Sequence, residues 1–219
     1  MRGSSLPERL TQVSSLMTDL SHSATADTRA RRRLRRDVRR VGRPAPETLR
    51  HYFTVDVEEY FQVTALEPHA PRDKWNSYAS RVEPYTDMLL EMLDEAGHSA
   101  TFFVLGWVAE RRPQLVKRIA GAGHEVASHG WGHRRVTELS KDEFRSSIRR
   151  SRELLSELSG TEVVGYRAPS FSIIPGLEWA FDVLLEEGYV YDSSLLPVRR
   201  PGAGYGGIPR EPFHITRAA

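Results

Sequence analysis

The sequence predicts an α/β fold built on a parallel sheet, and three observations predict it. Short apolar, β-branched or aromatic runs alternate with helix-like stretches from about residue 51 onward. Chemistry-bearing polar residues stand at the C-terminal ends of those runs, where parallel sheets and barrels place their sites. A chain of 219 residues with 39% hydrophobic content is one domain's worth and long enough to bury a real core.

Taken in order, the first strand begins at His51 and runs through Val55 and Val57 into the acids Asp56, Glu58 and Glu59. Val82 to Ala96 carries Tyr85, Met88, Leu89, Met92 and Leu93 at helical spacing, with Gly97 as its stop. Ala100 to Leu105 is a short apolar strand. Pro113 suits a helix's first turn, Leu115, Val116 and Ile119 form its inner face, and Gly121 and Gly123 end it. Gly123 to Ser128 reads as the next strand. Ser140 and Glu143 form a capping box ahead of Phe144, Ile148, Leu155 and Leu158, with Gly160 as terminator. Val163 to Tyr166 is a strand, Leu177 to Glu187 a helix, and Tyr189 to Tyr191 a strand. No internal repeat of 20 to 50 residues is visible.

Charge divides the chain. Residues 1–50 hold 12 arginines against Glu8, Asp19, Asp27, Asp37 and Glu47, a net of +7, which leaves the remainder at −5 under the overall +2. The arginine run from Arg29 to Arg40 has almost no apolar face, so residues 1–46 read as a disordered basic tail. Nucleic acid or an anionic surface is its alternative partner. The break Gly42 to Pro46 separates it from a domain over 47–219. No apolar run approaches the ~20 residues of a membrane span. No signal-peptide core follows Met1 either, so the default compartment is the cytoplasm. The absence of cysteine excludes disulfides and thiolate chemistry.

The chemistry concentrates in the segment from Ser128 to His133 (SHGWGH). Two histidines four apart can close on one metal ion, each through a neutral imidazole nitrogen, and Gly130 and Gly132 let the segment bend between them. The plain alternative is two loop histidines that touch nothing. An acidic cluster supplies a third ligand: Asp56 and Glu58 alternate with Val55 and Val57, so in an extended segment they face one side. Two carboxylates there permit one to hold a metal and the other to handle protons. Two histidines and one carboxylate leave positions open, as catalytic metal sites do. Arg167 follows another strand, where it can pair bidentately with a carboxylate and hold its ionised form.

Five ordered motifs now stand out: Phe53 to Phe61 (FTVDVEEYF), Ala100 to Gly106 (ATFFVLG), Gly123 to His133 (GHEVASHGWGH), Gly165 to Ser172 (GYRAPSFS) and Tyr191 to Pro197 (YDSSLLP). Together they resemble the polysaccharide deacetylase family (NodB homology, carbohydrate esterase 4), closest to its exosortase-associated exopolysaccharide branch, over about residues 50–215. The resemblance implies a distorted (β/α) barrel and metal-dependent removal of N-acetyl groups from amino sugars of a polysaccharide. It implies a divalent metal, most often zinc, held by His129, His133 and a carboxylate of the first motif. Glu58 is assigned to the metal with Glu59 as its alternative, and Asp56 is the general base, oriented by Arg167. Asp192 and Ser193 belong to the substrate groove by resemblance, beside Pro169, with an ordinary cap or turn as the plain alternative, and Trp131 is either a platform for a sugar face or a buried aromatic.

Two departures qualify that likeness. The first motif separates Asp56 from Glu58 by Val57, where the family has adjacent aspartates. The family's later histidine, which protonates the departing amine, has no match: His214 is the only histidine after His133, and its setting differs. The barrel is therefore expected to lack its C-terminal strands, and the product to be a truncated, weak catalyst. Allantoinase-like amide hydrolysis and an inactive remnant are the alternative functions.

Overall fold

The computed structural model describes residues 51–198 and 200–215, together with the backbone of two short upstream segments. Those segments are β1 (Thr11–Gln12) and β2 (Val38–Arg40). Then follow β3 (Thr54–Val57), α1 (Val82–Glu95), β4 (Thr101–Val104), α2 (Gly106–Arg111) and α3 (Pro113–Gly121). The chain continues through β5 (Glu125–Ser128), α4 (Lys141–Ser159), β6 (Gly165–Tyr166), α5 (Trp179–Glu186), β7 (Tyr191–Asp192) and β8 (Phe213–Ile215).

The strands form one sheet in the order β2-β8-β1-β7-β6-β5-β4-β3. β3 to β7 are parallel and adjacent in chain order, each return being made through helix. This is the expected parallel α/β architecture. β8 runs antiparallel to both β1 and β2, and β1 parallel to β7. The basic tail expected over 1–46 falls outside the described residues, except where β1 and β2 pair into the sheet. Those two segments are the part of residues 1–46 that the structure describes. No described helix is long and apolar enough to cross a membrane.

Burial follows the expected apolar positions, with one rotation. Phe102, Val104, Leu115, Val116, Ile119, Ile148 and Leu155 are fully enclosed in the main core. Each such side chain contributes about 1.5–3 kcal/mol by leaving water. On α1, however, Val82, Thr86 and Leu93 face inward, while Tyr85, Met88 and Met92 are exposed. Ser140 and Glu143 make the reciprocal cap on α4, and Gly160 ends it in the left-handed region. α2 is an addition that six residues without a full period do not announce. Beyond β3, the chain from Tyr60 to Tyr78 folds as short turns over a second cluster of Phe61, Ala70 and Trp75, with Tyr78 and Trp107 packed against it.

Register then places the site. Val57 is level with Val104, Val104 with Ser128, Ser128 with Tyr166, and Tyr166 with Asp192. The next row holds Glu58, Leu105, His129, Arg167 and Ser193. Its N–H groups continue the ladder: His129 donates to Val104, Arg167 to Ser128 and Ser193 to Tyr166, at 2.8–3.0 Å. Equal strand ends thus deliver these residues to one rim.

Candidate metal centre

Glu58, His129 and His133 each offer a ligand atom, and these atoms lie within 4.8 Å of one another. Both histidines are buried, and Glu58 is partly so. His129 Nδ1 lies 2.8 Å from the Arg167 carbonyl. A carbonyl only accepts, so Nδ1 carries the proton and Nε2 keeps its lone pair. Burial lowers the pKa of His129, which favours the neutral form a metal requires. Glu58 Oε2 lies 3.0 Å from His133 Nε2. It makes no hydrogen bond there or elsewhere among the described residues. Two polar atoms side by side, neither donating to the other, are what co-ligands of one cation present. The residues fit a divalent ion.

The turn that carries the histidines is braced from behind. Gly130 has φ of 77° and His133 of 53°, both left-handed, and the second is uncommon for a residue with a side chain. Ser151 Oγ on α4 donates to the Gly130 carbonyl at 2.7 Å, and Ser147 Oγ accepts from the Trp131 N–H at 3.1 Å. Trp131 does not take the position expected of a sugar platform. Its ring lies against Gly106, where an added Cβ would come within 2.4 Å, and the Arg150 guanidinium covers its face at 3.3 Å. It packs the turn onto α2 and α4.

Asp56 stands beside the metal group and is held by Arg167, whose Nη1 donates to Oδ1 at 2.7 Å. The same guanidinium donates to Thr54 Oγ1 and to Ser193 Oγ, both at 2.9 Å, and lies over the Phe103 ring at 4.1 Å. Arg167 is almost fully enclosed. Through its side chain it fixes the carboxylate, and through its carbonyl it fixes a histidine.

Glu59 faces elsewhere. Its carboxylate accepts from Ser80 Oγ and from the Arg81 N–H, the latter at 2.9 Å. It lines a separate cavity of about 250 Å³ with Trp75, Tyr78, Trp107 and Arg111. Alternation along the extended segment turns neighbouring acids to opposite sides. Of the two, only Glu58 joins the histidines.

Asp192 and Ser193 correct the expectation that they line the groove. Asp192 is fully buried and accepts from Ser194 N–H at 2.9 Å and Ser194 Oγ at 2.5 Å. Ser194 Oγ in turn accepts from the Ala168 N–H at 2.7 Å. Ser193 supports Arg167. Both residues reach the site only through others, because a buried turn offers no surface to a polymer. Pro169 is buried and opens a short turn whose Ser170 and Phe171 have positive φ, near 55° and 52°. His214 lies on β8, four strand positions from β5 in the sheet order. Sequence reasoning missed Thr54, Ser147 and Ser151, whose only signal is a small hydroxyl on a face that turns inward.

Fold and site together define an α/β protein with a two-histidine, one-carboxylate group at its strand ends. The family model described as polysaccharide deacetylase matches residues 74–175. The peptidoglycan-N-acetylglucosamine deacetylase of Bacillus cereus is 36% identical over 97 residues, 44% of this chain and 35% of that protein. The peptidoglycan deacetylase of Helicobacter pylori is 33% identical over 110 residues, 49% of this chain and 36% of that one. The chain thus matches about a third of the length of these curated relatives. A solved structure of a candidate polysaccharide deacetylase from Mycobacterium smegmatis superposes with a TM-score of 0.54 at 34% identity, covering 66% of this chain and 50% of that one. A carbohydrate esterase 4 family pseudoenzyme from Bacillus anthracis shares the fold, with a TM-score of 0.51 at 18% identity over 65% of this chain and 42% of its own. Over residues 74–175 the chain is thus similar to the polysaccharide deacetylase family.

Proposed function

We propose that this chain carries the hydrolytic site of a polysaccharide N-deacetylase, which removes acetyl groups from amino sugars. The observation that supports it most is the convergence of Glu58, His129 and His133 beside the Asp56–Arg167 pair. Glu58, His129 and His133 would hold a divalent ion, zinc being the choice that suits two imidazoles and a carboxylate. When bound, such an ion supplies Lewis acidity and makes water a better nucleophile near neutral pH.

The chain's own residues supply the rest. Asp56 is the general base, and Arg167 holds its carboxylate in place. Ser193 and Thr54 hold Arg167 in turn, so the base has little freedom to swing. His129 is kept in its ligand tautomer by the Arg167 carbonyl. The curated relatives named above are peptidoglycan deacetylases, which favours an N-acetylated glucosamine polymer over a cyclic amide as substrate.

The test is acetate release from N-acetylglucosamine oligomers by the zinc-loaded chain and by Asp56→Asn. The wild type should turn over, and the variant should be slower by at least the ~10²–10⁴-fold that a positioned base contributes. Equal rates would remove Asp56 from the role, and hydrolysis of allantoin alone would replace the substrate class.

A further inference from the structure

The segment between Glu58 and α1 does more than cover an aromatic cluster. Arg72, on the short turn from Arg72 to Ser77, reaches across to the histidine turn. Its Nη1 donates to the Gly132 carbonyl, and its Nη2 donates to the His133 carbonyl at 3.2 Å. The same Nη2 is paired with Glu67 Oε1 at 2.9 Å, and the guanidinium lies 4.9 Å from the centre of the Trp75 ring. Glu67 also approaches Arg135 at 3.6 Å, just beyond the histidine turn. A planar fork can bridge two successive carbonyls in a way that an ammonium cannot.

Those two carbonyls flank the strained point of the site. His133 has φ of 53°, a conformation that costs a non-glycine residue on the order of 1 kcal/mol or more and persists only where neighbours over-determine it. Ser147 and Ser151 fix the turn at Gly130 and Trp131. Those bonds end at Trp131, and Arg72 is the side chain that takes the Gly132 and His133 carbonyls. The segment that supplies ligand Glu58 therefore also carries the group that sets the backbone of ligand His133.

We infer that Arg72 is a positioning residue for His133: its guanidinium, braced by Glu67 and Trp75, holds the Gly132–His133 backbone so that the imidazole meets Glu58 and His129. The inference rests on the metal reading of Glu58, His129 and His133. It predicts weaker and less ordered metal binding when Arg72 is lost, with Glu58, His129 and His133 all still present.

The experiment titrates the metal-free full chain with zinc against a competing chelator, and with cobalt(II) while its visible absorption is recorded. Arg72→Ala should bind zinc about ten-fold more weakly, the lower end of what partners behind metal ligands cost. It should also show an altered cobalt band, because band shape and intensity report ligand geometry. Arg72→Lys should recover part of the affinity. Should Arg72→Ala not fold, Arg72→Gln carries the same expectation. Wild-type affinity together with a wild-type cobalt spectrum in a folded Ala or Gln variant would overturn the inference. No zinc bound by the wild type would overturn the metal reading itself, and the inference with it.

Discussion

Arg167 divides its contacts between the two halves of the site, its guanidinium on Asp56 and its carbonyl on His129. Replacing the side chain should therefore separate the halves. Arg167→Ala should keep its metal, because the carbonyl to His129 is backbone, but lose turnover by about 10²-fold or more as Asp56 loses its charge partner. Metal content and acetate release on the same sample check both parts, and loss of metal would mean the guanidinium shapes the ligands too. Asp192 makes a pH prediction. Burial, set against the Ser194 hydrogen bonds, pushes its pKa up from 3.8 to about 7. Below pH 3.8 the group is protonated in both states and costs nothing. Between that value and about 7 the unfolded chain sheds the proton first, so stability falls as pH rises, and above 7 the loss is complete. Relative to Asp192→Asn, wild-type unfolding free energy should fall by on the order of 1 kcal/mol or more between pH 4 and pH 7.5 in urea titrations. A constant difference would contradict it. At this scale the sequence was legible where chemistry needs a residue type at a fixed spacing, as with His129, His133 and Asp56. It left Asp192 and Ser193 open, because a turn motif reads the same whether it faces a groove or the core.

The helices show the same division. The capping box of Ser140 and Glu143 was legible because it is local: two side chains satisfy backbone donors three residues apart. The apolar period of α1 was legible too, but its direction was not. Tyr85, Met88 and Met92 form a stripe that the core does not take, and only packing against the sheet decides which stripe turns inward. α2 was invisible because its start depends on a contact distant in sequence. Its first residue, Gly106, donates to the Gly130 carbonyl at 2.9 Å and leaves room for Trp131. An added Cβ would meet the Trp131 ring at 2.4 Å and Ser151 Oγ at 2.8 Å. Trp131 cannot retreat freely, being held by Ser147 and Trp107 at its backbone and Arg150 on its face. Gly106→Ala should cost about 1–3 kcal/mol by overpacking. It should also weaken metal binding, since Trp131 lies between the two histidines. Thermal melts with and without zinc measure both effects, and an unchanged melting temperature would show that the ring yields.

Across the whole molecule, parallel register is what assembles the site. Strands that end level deliver Glu58, His129, Arg167 and Ser193 to one rim, although more than 130 residues of chain lie between the first and last. That outcome was legible in outline, because polar residues followed apolar runs four times over. The side from which Arg72 closes the turn was not, since the segment carrying it has no period and packs on its own aromatic cluster. Nor was the pairing of Thr11–Gln12 and Val38–Arg40, where a basic composition spoke for free chain. The central claim is that Glu58, His129 and His133 hold one divalent ion while Asp56 does not. Metal content of the purified chain by mass spectrometry, compared with His129→Ala, His133→Ala and Asp56→Asn, tests it most directly. The account predicts about one ion in the wild type and in Asp56→Asn, and loss of it in both histidine variants. Equal metal in the wild type and the histidine variants would contradict the ligand set, and loss of metal in Asp56→Asn would show that the roles of Asp56 and Glu58 are exchanged.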